Sequence, residues 1–190
     1  MLSFAFLPSF EALRTGIFYA FSALTTGGLN LGVANYPELS KSLLIILMVI
    51  GGFAGSIAGG LKLARVGILG KAMTWVSKKI FYPSSAVVPF KYNRRTVGDE
   101  ELSIISLFSF AYILILIISS MLLSFMGYMT IDAFFVSASA EGTVGLTTLD
   151  IASINPAAKI ILIFDMLLGR LEILPFFVLF FALYSRMKNR

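Results

Sequence analysis

The chain has 190 residues, of which 58% are hydrophobic and 13% are charged, and its mean hydropathy is +0.91. A water-soluble domain carries about 25% charged residues, so this composition excludes a soluble globule and indicates a lipid-embedded protein. Cysteine and histidine are both absent, which excludes disulfides, thiol redox chemistry, zinc-thiolate sites and histidine-based catalysis.

The net charge of +5 is unevenly distributed along the chain. Eight of the 15 Lys and Arg residues lie between Lys62 and Arg95, and three more end the chain at Arg186, Lys188 and Arg190. Such clusters also occur in nucleic-acid-binding proteins, but here they flank long apolar runs. We therefore interpret them as cytoplasmic flanks of membrane helices and expect no nucleic-acid partner.

Three apolar runs are long enough to cross a bilayer, which takes about 20 helical residues. They extend from about Ser42 to Leu63, from about Leu102 to Gly127 and from about Ala157 to Tyr184. The basic segment between the first two runs, residues 64–101, is typical of an amphipathic stretch on the inner membrane surface. With both basic clusters inside, three successive spans place the C-terminus in the cytoplasm.

Two shorter apolar segments, Phe10–Leu24 and Ile131–Ala140, precede the first and third spans. Thr130 is a candidate N-cap for the second segment. At 1.5 Å per residue, a ten-residue helix reaches about 15 Å, which is half of the hydrocarbon core. Each segment is therefore either an amphipathic surface helix or a re-entrant pore helix that stops at mid-membrane.

A similar glycine-containing sequence follows each of the two short segments. The shared core, Thr-x-Gly-Leu, lies at Thr26–Leu29 and at Thr143–Leu146, 117 residues apart, and a long span follows each copy. One copy alone is typical of a tight turn between helices. Two copies in the same setting indicate an internal repeat of short helix, loop and spanning helix.

The chemistry of this core suits a dehydrated cation. An ion in a narrow pore must exchange its water for other oxygen ligands, and inward-pointing backbone carbonyls supply them. Glycine gives the backbone the freedom to turn carbonyls to one side. Gly28 and Gly145 are the candidates for this role, and Thr26 and Thr143 each add a carbonyl and a hydroxyl.

A glycine-rich stretch lies in the inner part of the first span. Its small residues recur at every fourth position, as Gly51, Gly55 and Gly59 and as Gly52, Ser56 and Gly60. This spacing allows close helix packing. So many glycines, at about 1 kcal/mol each relative to alanine, also weaken a continuous helix. The stretch therefore fits either a tightly packed helix or a helix broken at mid-membrane.

Charged residues within the spans are candidates for function, because a charge inside a membrane is costly. Lys62 either snorkels to the inner interface or takes part in gating. Arg170 is one such candidate, and the alternative to a functional role is a structural ion pair with Asp165, Glu141 or Glu172. Glu141, which precedes the second loop, is expected to anchor the short helix by hydrogen bonding.

Four stretches together resemble the Trk/Ktr/HKT superfamily of cation transporters: Ser22–Leu29, Gly51–Lys62, Thr143–Thr147 and Gly169–Pro175. Two of them, Gly51–Lys62 and Gly169–Pro175, resemble its TrkH-like branch in particular. In that family, one polypeptide carries four helix–pore-loop–helix repeats around one pore. The resemblance therefore implies an all-α integral membrane fold of the potassium-channel-like type. It would contain about three spanning helices and two re-entrant pore helices.

The resemblance assigns the chain to the third and fourth repeats. Residues 1–63 form a partial third repeat, residues 64–101 a basic cytoplasmic linker and residues 102–190 the fourth repeat. Because Met1–Ser9 is too short to span, we expect a truncated chain. Its expected partners are the lipid bilayer, the missing N-terminal repeats or a second copy, and a cytosolic nucleotide-binding regulatory subunit.

The resemblance implies potassium uptake across the cell inner membrane, with no enzymatic activity and no cofactor besides the transported K⁺. The implied filter comprises Thr25, Thr26, Gly27, Gly28, Leu29, Thr143, Val144, Gly145 and Leu146, with K⁺ at Thr26, Gly27, Gly28, Thr143, Val144 and Gly145. The implied gate comprises Gly51, Gly52, Gly55, Ser56, Gly59, Gly60, Lys62 and Arg170, with the arginine as an electrostatic barrier. A transporter that also admits sodium and a non-conducting membrane scaffold are the alternative functions.

Overall fold

The computed structural model describes residues 10–31, 36–53, 55–56, 58–81, 89–93 and 95–171. The elements in chain order are α1 (Phe10–Leu24), α2 (Glu38–Ile50), α3 (Leu63–Lys79), β1 (Lys91–Tyr92), β2 (Arg95–Thr96), α4 (Asp99–Phe125), α5 (Thr130–Glu141) and α6 (Pro156–Leu171). Glu172, the inner half of the third span and the C-terminal basic cluster lie outside the described residues. The mostly helical architecture agrees with the predicted fold class.

Among the described residues, α4 is the one helix long and apolar enough to cross a membrane. Its 27 residues extend over about 40 Å, which exceeds a hydrocarbon core of about 30 Å. The first turn holds three acidic residues, Asp99, Glu100 and Glu101, whose charges favour the positive end of the helix dipole. One face packs inward through residues such as Tyr112 and Leu116, and the opposite face exposes apolar side chains to the surroundings.

The short helix α5 lies at the centre of the structure, in contact with α2, α4 and α6. Nine of its 12 residues are buried. Phe135 packs in the main core with Tyr36, Met48 and Leu146, so this core joins the two halves of the sequence repeat. A helix buried on nearly every side cannot be an amphipathic surface helix. The structure therefore favours the pore-helix interpretation of this segment.

The first predicted span is broken. α2 ends at Ile50, and Gly51 has φ 68°, a left-handed conformation that glycine adopts without a steric penalty. The described residues between Gly51 and Lys62 are not helical, and α3 begins at Leu63. The broken-helix alternative is therefore confirmed, and a continuous packed helix is wrong.

Two further features differ from the prediction. Thr130 is the first residue of α5 and not its N-cap, since Met129 precedes it and no side chain caps the helix. The basic segment 64–101 contains most of α3. The same segment contains an antiparallel hairpin, with Lys91 paired to Thr96, which the all-α prediction overlooked.

Candidate ion filter and gate

The two Thr-x-Gly-Leu loops share one pattern of backbone hydrogen bonds. In each loop the threonine amide donates to a pore-helix alanine carbonyl, and the next amide donates to the preceding serine carbonyl. The pairs are Thr26 N to Ala23 O (3.3 Å), Gly27 N to Ser22 O (3.0 Å), Thr143 N to Ala140 O (3.0 Å) and Val144 N to Ser139 O (2.8 Å). The internal repeat of the sequence is therefore also a structural repeat.

Both loops alternate left-handed and ordinary backbone conformations. Thr26 and Thr143 have φ of 52° and 53°, and Gly28 and Gly145 have φ of 62° and 92°. The residue between each pair has no positive φ. In an extended strand successive carbonyls point to opposite sides, and inverting φ at alternate residues turns them toward one side. A β-branched threonine at positive φ costs about 1–3 kcal/mol, and such strain points to a functional segment.

A serine of each pore helix braces its own loop. The Ser22 hydroxyl donates to the Leu29 carbonyl at 2.9 Å, and the Gly145 amide donates to the Ser139 hydroxyl at 3.1 Å. The two serines occupy equivalent positions of the repeat, and both are buried. Sequence reasoning assigned these serines no role. Their identical offset from the threonine was the available signal.

The first loop lies directly against the second. A Cβ atom added to Gly28 would overlap the Val144 carbonyl oxygen, and one added to Gly145 would lie 3.9 Å from Gly28 Cα. A side chain therefore cannot be placed at Gly28 without moving a carbonyl of the other loop. Gly27 differs, because a Cβ there would meet only the Thr25 hydroxyl, at 3.3 Å.

The two loops differ in how their leucines are covered. Leu146 is 1% exposed in the main core, whereas its counterpart Leu29 is 62% exposed. Leu146 packs against residues of α1 and α2, which precede it in the repeat order. The face around Leu29 has no equivalent cover among the described residues.

The glycine-rich segment between α2 and α3 lies against the ends of both pore helices. A Cβ on Gly59 would overlap the Gly142 carbonyl oxygen and lie 2.7 Å from the Thr143 hydroxyl. A Cβ on Gly52 would lie 3.8 Å from the Leu24 carbonyl oxygen. The segment therefore fills the space beside the two loops, on the side where α3 begins.

A cavity of about 90 Å³ brings several predicted gate residues together. It is lined by Ser56, Ala58, Gly59, Gly60, Lys62, Phe108, Tyr112, Leu168, Gly169 and Arg170. Two cationic side chains, Lys62 and Arg170, therefore share one small cavity although 108 residues separate them in sequence. Of the other predicted gate residues, Gly51 packs on Gly59 and Gly60, and a Cβ on Gly55 would meet open space.

Two buried carboxylates lie behind the second loop. Glu141 is fully buried at the end of α5, and Asp165 of α6 is buried as well. Neither Glu141 carboxylate oxygen has a hydrogen-bond partner among the described residues, so the predicted hydrogen-bond anchor is wrong. The helix end is positioned instead by close packing, because α6 crosses it at Gly169, where a Cβ would overlap the Glu141 carbonyl oxygen.

Tyr19 and Tyr36 form an aromatic pair beside the loop that follows α1. The Tyr19 hydroxyl donates a hydrogen bond to the Asn30 side-chain oxygen at 3.1 Å and accepts one from the Leu31 amide at 3.2 Å. The rings of Tyr19 and Tyr36 meet edge to face at 5.0 Å. Burial, with a smaller contribution from Tyr19, raises the pKa of the Tyr36 hydroxyl well above its usual range. This hydroxyl therefore stays neutral over the physiological pH range.

An ion pair that sequence reasoning missed ties the two repeats together. The Lys41 ammonium of α2 lies 2.6 Å from the Asp132 carboxylate in the first turn of α5, and the two side chains are 15% and 11% exposed. Since the residues are 91 positions apart, no local pattern predicts the contact. The pair fixes α5 on α2.

Substituting Asp132 by asparagine is expected to lower the melting temperature of the detergent-solubilised chain by about 5 °C. Removing one partner leaves the Lys41 ammonium part-buried without its counter-charge, at a cost of about 2 kcal/mol. Circular dichroism during heating measures the shift. Glu101→Gln is the matched control, because the Arg95–Glu101 pair is 74% and 39% exposed and is worth about 0–1 kcal/mol. Equal shifts for the two variants would contradict this role.

Residues 2–189 match the TrkH family of cation transport proteins. The chain belongs to the TrkH family. It is 34% identical over 172 residues to an uncharacterised cation transporter of Methanocaldococcus jannaschii, covering 90% of this chain and 36% of that protein. It is also 34% identical over 182 residues to the Trk system potassium uptake protein TrkH of Salmonella typhimurium, covering 92% and 37%.

A solved structure shares this fold. The crystal structure of the potassium transporter TrkH from Vibrio parahaemolyticus matches with a TM-score of 0.78 at 29% identity, over 91% of this chain and 38% of that one. The chain spans somewhat more than a third of the length of these relatives. The resemblance to the TrkH-like branch is therefore confirmed, and the chain is a membrane protein of a cation-transport family and not of an enzyme family.

Proposed function

We propose that this TrkH-family chain forms half of the pore of a Trk-type system that takes up K⁺. The single observation that carries the proposal is the matched backbone of the two loops, with left-handed residues at the threonine and the glycine of each copy. The names of its relatives support K⁺ as the transported ion, since two of them are potassium uptake or transport proteins. The proposal thus assigns K⁺ as the transported ion and places a filter and a gate in this chain.

In the proposed filter, carbonyls of Thr26, Gly27 and Gly28 and of Thr143, Val144 and Gly145 replace the hydration shell of K⁺. The alternating φ values support this assignment, because they direct carbonyls from each loop to one side. Irregular backbone at membrane depth is tolerated where it lines a cavity or is buried in protein, and both loops are packed behind by their pore helices. Thr25, Leu29 and Leu146 flank the coordinating residues.

A complete ring needs two further segments. The exposed face of Leu29 supports this view, because its counterpart Leu146 is buried by the preceding repeat. We propose that two N-terminal repeats of a longer protein, or a second copy of the chain, cover that face. We also propose the division of the chain into a partial third repeat (residues 1–63), a cytoplasmic linker (residues 64–101) and a fourth repeat (residues 102–190).

The proposed gate is the glycine-rich segment together with Lys62 and Arg170. Two positive charges beside a cavity of about 90 Å³ raise the energy of a cation that passes below the filter. Glycines at Gly51, Gly52, Gly55, Gly59 and Gly60, with Ser56, leave this segment free to change conformation while it contacts both loops. Displacement of the segment would open the path.

The basic residues support an orientation with the loops on the outer side of the cell inner membrane and both chain regions rich in Lys and Arg inside. The C-terminus is then cytoplasmic. A Trk-type system also suggests a cytosolic nucleotide-binding regulatory subunit as a partner of the inner face.

Expression of the whole protein in cells that lack K⁺ uptake systems tests the proposal. The whole protein should restore growth in low K⁺ and take up Rb⁺ in preference to Na⁺. The 190-residue chain alone should do so only if two copies pair, because one copy supplies two of the four filter segments. Equal uptake of Na⁺ and K⁺ by the whole protein would favour the sodium-permeable alternative. Correct membrane insertion without uptake of either ion would favour the scaffold.

A further inference from the structure

Apolar side chains that no other described residue covers lie in the second half of α3 and just after it. Met73 and Val76 lie on one side of the helix, and Ile80 and Phe81 follow its last residue, Lys79. Met73 is 75% exposed and Phe81 is 89% exposed, which is unusual for apolar side chains of this size. We call these four residues the α3 stripe.

An adjacent side of α3 is already occupied. Ala72 is buried against Phe90 and Val97, and Trp75 packs on the Phe90 ring at 5.6 Å. The hairpin and the segment leading into α4 therefore fix the rotation of α3 about its axis. This packing keeps the α3 stripe exposed.

Basic side chains lie near the stripe along the axis of α3, with Lys78 and Lys79 directly before Ile80, while Lys71 and Lys78 lie on the side of the helix away from Met73 and Val76. Lys71, Lys78 and Lys79 are exposed on α3, and Lys91 is exposed on β1. The Lys79 ammonium lies 4.9 Å from the centre of the Trp75 ring, and the Lys71 ammonium lies 5.8 Å from that of Tyr92. The sequence contains no Asp or Glu between Glu38 and Asp99, and the next acidic residues, Asp99, Glu100 and Glu101, begin α4 after the hairpin.

The position of α3 along the membrane selects the partner. The helix begins beside the cavity at Lys62, next to the proposed filter, and its 17 residues extend over about 25 Å. Half of a hydrocarbon core is about 15 Å, so the last two turns emerge at the headgroup layer. A phospholipid surface offers both acyl chains for the stripe and phosphates for the lysines.

We propose that the α3 stripe and its flanking lysines, Lys78 and Lys79, form a docking surface for anionic phospholipids of the inner leaflet. The apolar side chains enter the acyl boundary, and the two ammonium groups contact the phosphates. This surface depends on the membrane placement of the chain and not on which ion is transported. It anchors the C-terminal end of α3, the helix that follows the proposed gate.

Trp75 provides a direct test, because it is the one tryptophan in the chain. The chain is reconstituted into two sets of vesicles that contain phosphatidylcholine and phosphatidylglycerol in the same proportions. In one set the phosphatidylglycerol carries brominated acyl chains, and in the other an equal amount of the phosphatidylcholine does. Quenching of Trp75 by the brominated anionic lipid should exceed quenching by the brominated neutral lipid about threefold, as two lysines near the surface favour anionic lipid.

The double variant Lys78→Gln/Lys79→Gln should bring the ratio of the two quenching values close to one. Lys159→Gln, which removes a charge from α6, is the matched control and should leave the ratio unchanged. Equal quenching by both lipids in the unaltered chain would overturn the proposal. Quenching by neither lipid would also overturn it, since it would mean that a second copy or another protein covers the surface.

Discussion

Substituting Gly28 by alanine is expected to reduce the preference of the whole protein for K⁺ over Na⁺ by about tenfold or more, since strain of about 1–3 kcal/mol would displace the filter. The new Cβ would overlap the Val144 carbonyl oxygen, and Gly28 has φ 62°, which disfavours any side chain. The variant would therefore move a carbonyl that the proposed filter uses. The ratio of Rb⁺ uptake to Na⁺ uptake measures the effect independently of protein amount.

Two other glycines make this a graded series. Gly145→Ser also introduces a side chain at positive φ, but its nearest neighbour is Gly28 Cα at 3.9 Å, so we expect a smaller loss of selectivity. Gly127→Ala has the same backbone problem, with φ 94°, in open space far from both loops. It should leave selectivity unchanged. Unaltered selectivity in Gly28→Ala, or equal loss in all three variants, would contradict the filter assignment.

Substituting Arg170 by glutamine is expected to increase the maximal rate of Rb⁺ uptake by the whole protein about tenfold, which corresponds to a barrier lower by about 1.4 kcal/mol. Arg170 and Lys62 line the same cavity below the loops, so their charges add to the barrier that a cation meets there. Glutamine keeps much of the side-chain length and removes the charge. Rates at saturating Rb⁺ separate this effect from a change in ion binding.

Lys71→Gln is the appropriate control, because it neutralises an exposed charge of α3 that does not line the cavity. It should leave the maximal rate unchanged. Arg170→Lys, which retains the charge, should stay close to the unaltered protein. If Arg170→Gln takes up Rb⁺ no faster than Arg170→Lys, the arginine is a structural residue and not an electrostatic barrier.

The local amino-acid sequence predicted most of the elements that form the candidate site. The observed α1 has the predicted bounds, Phe10–Leu24, and α5 extends the predicted segment by one residue at each end. The equivalence of the two loops was also predictable, because identical short motifs in identical settings adopt the same hydrogen bonds. These features depend on neighbours in sequence, which is the information that a single chain provides.

Contacts between distant segments were not predictable in the same way. The Lys41–Asp132 pair joins two helices whose relative position follows from the fold, and neither residue belongs to a motif. The break after Ile50 was one of two alternatives, since glycines at four-residue spacing suit both helix packing and interruption. The end of α2 at Ile50 and the left-handed conformation of Gly51 decide between them. Glu141 was expected to find a hydrogen-bond donor, whereas backbone packing at Gly169 positions that helix end.

The most direct test of the central claim is to locate Rb⁺ in an experimental structure of the whole protein. Anomalous scattering from Rb⁺-containing crystals should show the ion between carbonyl oxygens of Thr26–Gly28 and Thr143–Gly145, with two further segments completing the ring. The same sites should lose the signal when Na⁺ replaces Rb⁺. Rb⁺ bound only elsewhere, with the two loops directed away from the ion path, would contradict the account.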